Sequence, residues 1–233
     1  MDFTFTEEQV ALRDSINRFL MKEAAPELLR EISETSGGRS RELHAKIAAQ
    51  GITGLSVPEA QGGVGLGDID WTLVTEELGY HAIPDSLVES SYVATALLCN
   101  VQEAGALREQ WLPRVADGTA HISLEHPANP CVADAHLADL ILAFRAGKDD
   151  ALELHAVPGT GLQRSTQVSI DASRRLAILP QKFAASTRLL MGAGVQAIAD
   201  ATLDRAALAV AGQLVGLAQR MLDVSVDYVA QRK

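Results

Sequence analysis

The sequence is poor in aromatic residues and in cysteine. Aromatic residues make up 4% of the 233 residues, against 47% hydrophobic residues in all, and Cys99 and Cys131 are the only cysteines. A chain rich in Ala, Leu and Val but short of aromatics favours packed helices over a sandwich of sheets. Since the N-terminus lacks a basic segment followed by an apolar one, we expect a cytoplasmic protein with reduced cysteines.

Positive charge and long apolar runs are also scarce. The chain has 20 Lys and Arg against 30 Asp and Glu, a net charge of −10. Because this charge repels phosphate backbones and anionic lipid, and no Lys/Arg cluster offsets it, nucleic acid is excluded as a partner. The most apolar stretch, 206–218, is interrupted by Gln213 and is shorter than the ~20 residues of a membrane-spanning helix. We therefore expect no membrane segment.

Glycine is abundant in one place, the stretch GITGLSVPEAQGGVGLGD at 51–68. The spacing does not fit a nucleotide-binding loop, because Asp68 and Asp70 stand where a G-x-G-x-x-G motif needs its third glycine and no Gly-Lys pair follows. A structural role is favoured instead. Gly51 is expected to end one helix, 58–65 to turn the chain, and Asp68 or Asp70 to cap the next helix.

Periodicity predicts an α+β fold that is mostly α, in three domains at 1–118, 119–188 and 189–233. The first is helical, with a capping box at Thr6 and Gln9 and a second cap at Ser40. The third begins a helical bundle, with one helix from about 203 to 233 whose small residues allow close helix packing. Between them, five short segments separated by Pro, Gly, Asn and Asp predict a small antiparallel sheet: 119–124, 137–144, 151–157, 166–170 and 176–179.

Three stretches resemble the acyl-CoA dehydrogenase family. They are the glycine-rich turn with its following helix at 51–79, ADLILAFRAG at 138–147, and LDRAALAVAGQLVGLAQRMLDVSVDYVAQRK at 203–233. The resemblance implies FAD as cofactor and an acyl-CoA thioester as substrate. In that family a carboxylate removes the proton from Cα while flavin N5 accepts a hydride from Cβ.

The chain departs from the family where the flavin is held. The family has a Leu-Thr-Glu-Pro segment, a Gly-Ser pair and an aromatic-Ile-Thr segment that covers the flavin ring. Here the first becomes Leu-Glu-His-Pro at 124–127, and the other two are absent. The resemblance is therefore to a shortened subunit with a reduced middle domain, as in heteromeric dehydrogenases of steroid side-chain CoA thioesters, with FAD held mainly by a partner subunit.

Two site residues carry over from the family. Asp204 matches an acidic position near the thioester end of CoA, so it is a predicted substrate-binding residue, although Ala207 replaces the arginine expected beside it. Arg232, in YVAQRK, matches an arginine that reaches the FAD diphosphate of a neighbouring subunit; the alternative is an exposed arginine in a last helical turn. An alternative family position for the base is Ala206, so no catalytic base is assigned. Family members continue with further helices, so the resemblance implies either a C-terminally truncated member or a remainder that lies outside this sequence.

One further motif is the even spacing of His121, His126, Cys131 and His136. Four such side chains suit zinc, but the prolines between them prevent a helix from gathering the ligands. We expect no metal site. Three functions stay open: a homo- or hetero-oligomeric acyl-CoA dehydrogenase subunit, a non-catalytic scaffold or pseudoenzyme, and a zinc-dependent hydrolase.

Overall fold

The computed structural model describes residues 4–147, 151–171 and 173–232. Helices form both ends of the chain and short strands lie between them, as predicted. The helices are α1 Glu7–Glu23, α2 Pro26–Glu34, α3 Arg41–Ala49, α4 Asp68–Tyr80, a π-helical segment Val88–Ala94 that continues into α5 Thr95–Asn100, α6 Gly105–Ala116 and α7 Ala193–Gln231. The strands are β1 Ile122–Glu125, β2 Val132–Ala133, β3 Leu140–Ala146, β4 Leu152–Pro158, β5 Ser165–Gln167, β6 Leu176–Ile178 and β7 Arg188–Met191.

Local signals at the helix ends are confirmed. The Thr6 hydroxyl accepts from the Gln9 N–H at 3.2 Å and the Gln9 side chain accepts from the Thr6 N–H at 3.0 Å, which completes the capping box. The Ser40 hydroxyl accepts from the Leu43 N–H at 3.1 Å at the start of α3. After α3 the chain passes through Gly51 at a φ of 76°, a left-handed conformation that favours glycine.

The glycine-rich stretch is a structural turn. Gly62 and Gly65 have φ values of 87° and 74°. At its end the Asp70 carboxylate accepts from the Gly67 N–H at 3.0 Å, so Asp70 is the capping acid that the sequence predicted. Asp68 instead bonds Tyr92 and Arg205.

The strands form two small sheets. One has the order β1-β3-β4-β7 and the other β2-β6-β5. Antiparallel pairing, which the sequence predicted for the middle of the chain, holds for β3 with β4, and the strand β7, which was not predicted, also pairs antiparallel with β4. In contrast, β1 runs parallel to β3, with Ile122 opposite Leu140. This pair is parallel because the chain leaves the four-stranded sheet after β1, passes through β2, and returns in the same direction. The larger sheet is therefore mixed.

The π-helical segment joins the helical part of the chain to the larger sheet. The Thr95 hydroxyl donates to the Ser90 carbonyl five residues earlier at 3.0 Å, which matches the wider turn of a π-helix. The Ser90 hydroxyl in turn accepts from the N–H of Ile122, the first residue of β1, at 3.0 Å. All three residues are buried, so this polar link lies in the core.

The long helix α7 packs directly on α4 through glycines. A Cβ built on Gly216 would lie 1.8 Å from the Glu76 carbonyl oxygen, and one on Gly79 would lie 2.0 Å from the Gln213 carbonyl oxygen. The two backbones are therefore in contact, as the small residues of α7 predicted. The helix begins at Ala193, ten residues before the predicted start.

The opposite side of α7 is apolar and exposed. Val215, Leu222 and Val229 are 58%, 58% and 70% exposed, and Val226 on the same face is 57% exposed. Apolar surface of this extent marks an association surface. No helix among the described residues combines the length and the hydropathy that crossing a membrane requires.

His44 connects three segments that lie far apart in the sequence. It belongs to α3, its Nδ1 lies 3.0 Å from Asp85 Oδ2, and it also hydrogen-bonds the backbone of Gly118. Hydrogen bonding to Asp85 raises the pKa of His44 although burial acts in the opposite direction. The protonated ring is thus the form that the fold stabilises.

We expect Gly216→Ala to destabilise the protein. The added methyl group would overlap the Glu76 carbonyl, and overpacking of this kind costs about 1–3 kcal/mol. Urea unfolding measures the change in the free energy of unfolding. The control is Gly194→Ala in the same helix, where a Cβ meets nothing within 4 Å, so no loss is expected. Equal stability of the two variants would contradict direct contact between α4 and α7.

We also expect the stabilisation by His44 to depend on pH. Because its folded-state pKa is raised, the stabilisation is complete below the unfolded pKa of about 6.5 and is lost as pH rises through the folded pKa. At pH about 6, His44→Gln should cost about 1.5 kcal/mol, or about 3–6 °C in Tm. Thermal melts should show this gap narrowing towards pH about 9. A gap of constant size would rule out the ion pair with Asp85.

Candidate functional site

A cleft of about 650 Å³ lies where α7, the helical part and the sheet part meet. We call it the α7 cleft. Its main apolar lining residues are Leu29, Leu78, Ile83, Val210, Leu214 and Leu217. Its polar lining residues include Arg39, Asp85, Ser86, Glu89, Ser173 and Arg174. Ligand sites favour such junctions, where apolar walls surround a few polar groups.

Glu89 is the notable acid of the α7 cleft. It sits in the π-helical segment beside the buried residues Val88 and Ser90. Burial raises the pKa of its carboxyl group, and the charges of Asp134 and Asp85 act in the same direction, while a hydrogen bond from its own backbone and the charge of Arg174 oppose them. A carboxyl group of this kind in a cleft is a candidate functional group. Glu89 was not predicted from the sequence, because the burial of the surrounding run 86–95 is visible only in the structure.

A buried ion pair joins the α2–α3 loop to the sheet part beside the cleft. Arg39 Nε lies 2.8 Å from Asp134 Oδ2, with side chains 10% and 0% exposed, and Arg39 also donates to the Ser173 carbonyl at 2.7 Å. The second oxygen, Asp134 Oδ1, is buried without a hydrogen-bond partner in the described part of the chain. A buried acceptor in that state is costly, and a ligand or water can satisfy it.

The face of α7 towards the cleft carries no proton acceptor at the family position for a base. Ala206, Val210, Gln213 and Leu217 follow one another at helical spacing, so they share one face. The last three line the cleft. The first is the position where some family members have a carboxylate, and alanine cannot accept a proton. A base on this chain therefore stays unassigned.

The two predicted site residues both lie on α7 but far apart. Asp204 is exposed and does not line the α7 cleft. Its neighbour Arg205 holds α7 in place, with two hydrogen bonds to the Asp68 carboxylate at 2.9 and 3.1 Å. Arg232 lies 28 residues further on, or about 42 Å at ~1.5 Å per residue. These residues therefore cannot serve one compact site within this chain.

Arg232 stands at the exposed end of α7. Its backbone N–H donates to the Tyr228 carbonyl at 3.1 Å, and its guanidinium lies 5.9 Å from the centre of the Tyr228 ring. Within the described residues no carboxylate pairs with it. The guanidinium is thus available to an anionic group outside the described chain.

The segment that replaces the flavin-holding motif forms a closed turn. The Asn129 N–H donates to the His126 carbonyl at 2.8 Å, and the Ala128 N–H donates to His126 Nδ1 at 3.1 Å. The Cys131 N–H donates to the Asn129 side chain at 3.1 Å. His126 itself packs on Phe144 and reaches the Ala199 carbonyl. Because these donors are satisfied within the turn, the residues present here do not fit a flavin ring.

The four evenly spaced His and Cys residues have separate partners. His121 contacts the Ser86 hydroxyl at 3.0 Å, and His136 contacts the Gly37 carbonyl at 3.0 Å. In the described ranges no group of three or more His, Cys, Asp or Glu residues is placed to hold a metal ion. No observation therefore favours a zinc-dependent hydrolase.

A second cavity of about 750 Å³ lies on the other side of Asp85 and Ser86. Its main polar side chains are already paired, His44 with Asp85 and His121 with Ser86. Much of its remaining lining is alanine: Ala45, Ala48, Ala49, Ala116 and Ala120. The α7 cleft is the better candidate because it combines large apolar walls with Glu89, whose carboxyl group bonds no side chain in the described residues, and lies beside the unpartnered Asp134 Oδ1.

The fold and a family comparison together define the class of protein. Residues 6–119 match the family model described as acyl-CoA dehydrogenase, N-terminal domain. The helical part, the small sheets and the long α7 follow the same order as in solved structures of that class. The chain belongs to the acyl-CoA dehydrogenase family.

The chain is similar to individual members of this family. The chain is 30% identical to acyl-CoA dehydrogenase IpdE2 of Mycolicibacterium smegmatis and 27% identical to that of Mycobacterium tuberculosis, with 97% of this chain covered in each case. It spans 66% and 65% of those relatives' lengths, about two thirds.

Solved structures show the same fold. The ChsE4-ChsE5 complex of Mycobacterium tuberculosis matches with a TM-score of 0.85 at 20% identity, over 100% of this chain and 69% of that one. A structure named as a Tcur3481-Tcur3483 steroid ACAD variant matches with a TM-score of 0.80 at 22% identity, over 97% and 68%. At these identities the likeness describes the fold alone.

We expect the isolated chain to retain no FAD. The turn at 126–129 satisfies its own donors, so it offers nothing to orient and cover a flavin ring. The purified chain, desalted after incubation with excess FAD, should show no flavin absorption band. A band near one equivalent would overturn this prediction, and the same protein desalted without added FAD gives the baseline.

Proposed function

We propose that the chain is a subunit of an FAD-dependent acyl-CoA dehydrogenase, with FAD held mainly by a partner subunit. The observation that carries the proposal is α7, which has an exposed apolar face and beyond whose last residue Arg232 pairs with no carboxylate in the described part of the chain. When bound, FAD supplies the hydride acceptor for oxidation of a CH–CH bond. The names of two related structures, ChsE4-ChsE5 and Tcur3481-Tcur3483, each join two proteins, which supports a heteromer.

In this proposal the chain binds and orients rather than transferring protons. The α7 cleft receives the acyl group, and Asp204 lies towards the thioester end of CoA. The apolar walls exclude water from the acyl group. One related structure is named as a steroid ACAD, so a steroid side-chain CoA thioester is our proposed substrate class. Because Ala206 offers no base, the base would come from elsewhere in the assembly.

A non-catalytic scaffold is the second candidate, favoured by two observations. The turn at 126–129 does not fit flavin, and the cleft face of α7 carries alanine at position 206. A scaffold also uses the apolar face of α7 for assembly. One respect in which the two functions differ is whether Arg232 contacts a cofactor that the partner holds.

We expect Arg232→Ala to weaken FAD retention in a complex co-expressed with a complete acyl-CoA dehydrogenase subunit. The guanidinium would form charge-assisted hydrogen bonds to the FAD diphosphate, and Lys copies this contact poorly because it lacks the planar fork. Such bonds contribute about 1.5–3 kcal/mol, so the FAD dissociation constant should rise about ten- to a hundredfold, with Arg232→Lys between.

FAD titration of the apo complex measures this effect, with Tm followed in parallel. The control is Arg18→Ala, an exposed arginine on α1, which should leave FAD affinity unchanged. Equal affinities for wild type, Arg232→Ala and Arg232→Lys would remove the cofactor contact and favour the scaffold.

A further inference from the structure

The α7 cleft has polar lining residues, and a simple hydrocarbon chain would offer them no hydrogen bonds. Val210, Leu214 and Leu217 of α7 form an apolar wall, and Glu89 and Ser86 lie in the same cleft. A purely apolar acyl group would pack on this wall but would bury the Glu89 carboxyl group without a side-chain partner. Since burying polar groups unpaired is unfavourable, the lining favours a ligand that is apolar with a polar substituent.

Glu89 is the group in the cleft best placed to recognise such a substituent. The hydroxyl of Ser86 is engaged with His121 Nε2 at 3.0 Å, so it is only partly available. No side chain in the described residues forms a hydrogen bond or ion pair with the Glu89 carboxyl group. Burial and the neighbouring Asp134 and Asp85 favour its neutral form, against a hydrogen bond from its own backbone and the charge of Arg174. A neutral carboxyl group both donates and accepts hydrogen bonds.

Asp134 is a second observation, beside the cleft rather than in its lining. Its Oδ1 atom is fully buried and unpartnered within the described residues. Its partner Arg39 lines the cleft, as does Ser173, whose carbonyl also accepts from Arg39. Asp134 also has a φ of 50°, uncommon for a residue other than glycine. An acceptor held in this way is suited to a hydroxyl donor, directly or through one water.

We propose that the α7 cleft selects acyl groups that carry a hydroxyl on an otherwise apolar body, and that Glu89 is the specificity-determining residue. This inference rests on the proposed function, because it assumes that the cleft receives the acyl part of a CoA thioester. A cleft of about 650 Å³ is within the range of pockets that hold drug-sized ligands. The hydroxyl would exchange hydrogen bonds with Glu89 while the body of the acyl group packs on α7.

The test compares two thioesters that differ only in the hydroxyl, dodecanoyl-CoA and its ω-hydroxy counterpart. Isothermal titration uses the full chain, because the residues of the α7 cleft all belong to it. Wild type should bind the hydroxylated thioester about tenfold more tightly, as expected of a site whose polar groups are left unpaired by the other ligand. Glu89→Leu should abolish or reverse this preference, whereas Glu89→Gln should keep most of it.

The control variant is Glu103→Leu, which changes an exposed acid outside the cleft and should leave the preference unchanged. Far-UV circular dichroism and Tm show whether each variant is folded. Equal binding of both thioesters by wild type and Glu89→Leu would overturn this inference and leave the proposed function standing. Failure of both thioesters to bind any variant, wild type included, would overturn the acyl-CoA function of the cleft, and this inference with it.

Discussion

The close contact between α4 and α7 determines the geometry on which the rest of the molecule depends. Gly79, Gly212 and Gly216 let the two backbones meet, and a Cβ at any of them would overlap the facing helix. Contact at this distance leaves α7 little freedom to rotate or slide. One face of α7 therefore lines the cleft, another packs on α4, and a third is left apolar and exposed.

Two ion pairs and one hydrogen bond add to the packing among the helices and the sheet part. Arg205 binds Asp68 near the start of α4, and the Tyr80 hydroxyl binds Asp223 near its end at 2.9 Å. Arg39 joins the α2–α3 loop to Asp134 in the sheet part. A buried ion pair is weak evidence for net stability, so we interpret the Arg39–Asp134 pair as determining orientation.

Local chemistry made much of this fold predictable. The caps at Thr6 and Ser40 and the end of α3 at Gly51 depend on residues a few positions apart, so the sequence displays them directly. Strand β7 and the first ten residues of α7 were missed because nothing local distinguishes them. In α7 the buried residues of that stretch are small or weakly apolar, Val195, Ala199 and Thr202. The parallel pairing of β1 with β3 depends on the path of the intervening chain.

The candidate site was predictable only in part, for the same reason. Arg232 and Asp204 could be proposed from a resemblance in sequence, and the altered segment at 124–127 indicated that the flavin-holding loop was changed. Glu89 and the Asp134 acceptor could not, because their importance comes from burial and from neighbours distant in the sequence. The unpaired atom of Asp134 is a property of the packed molecule alone.

Because of the π-helical segment, the loss of one residue, and not only a substitution, can alter which side chains line this cleft. A π-turn holds one residue more than an α-turn, so the loss of one residue between Val88 and Ala94 could restore an α-helix without breaking the chain path. Because the wider π-turn already absorbs the extra residue, the helix on either side would keep its direction, and only side chains within the segment would change register. Glu89 and Ser90 lie within this segment. Loss of a single codon there would thus reorient the acid and the Ser90 link to β1 while the flanking helices stay in place.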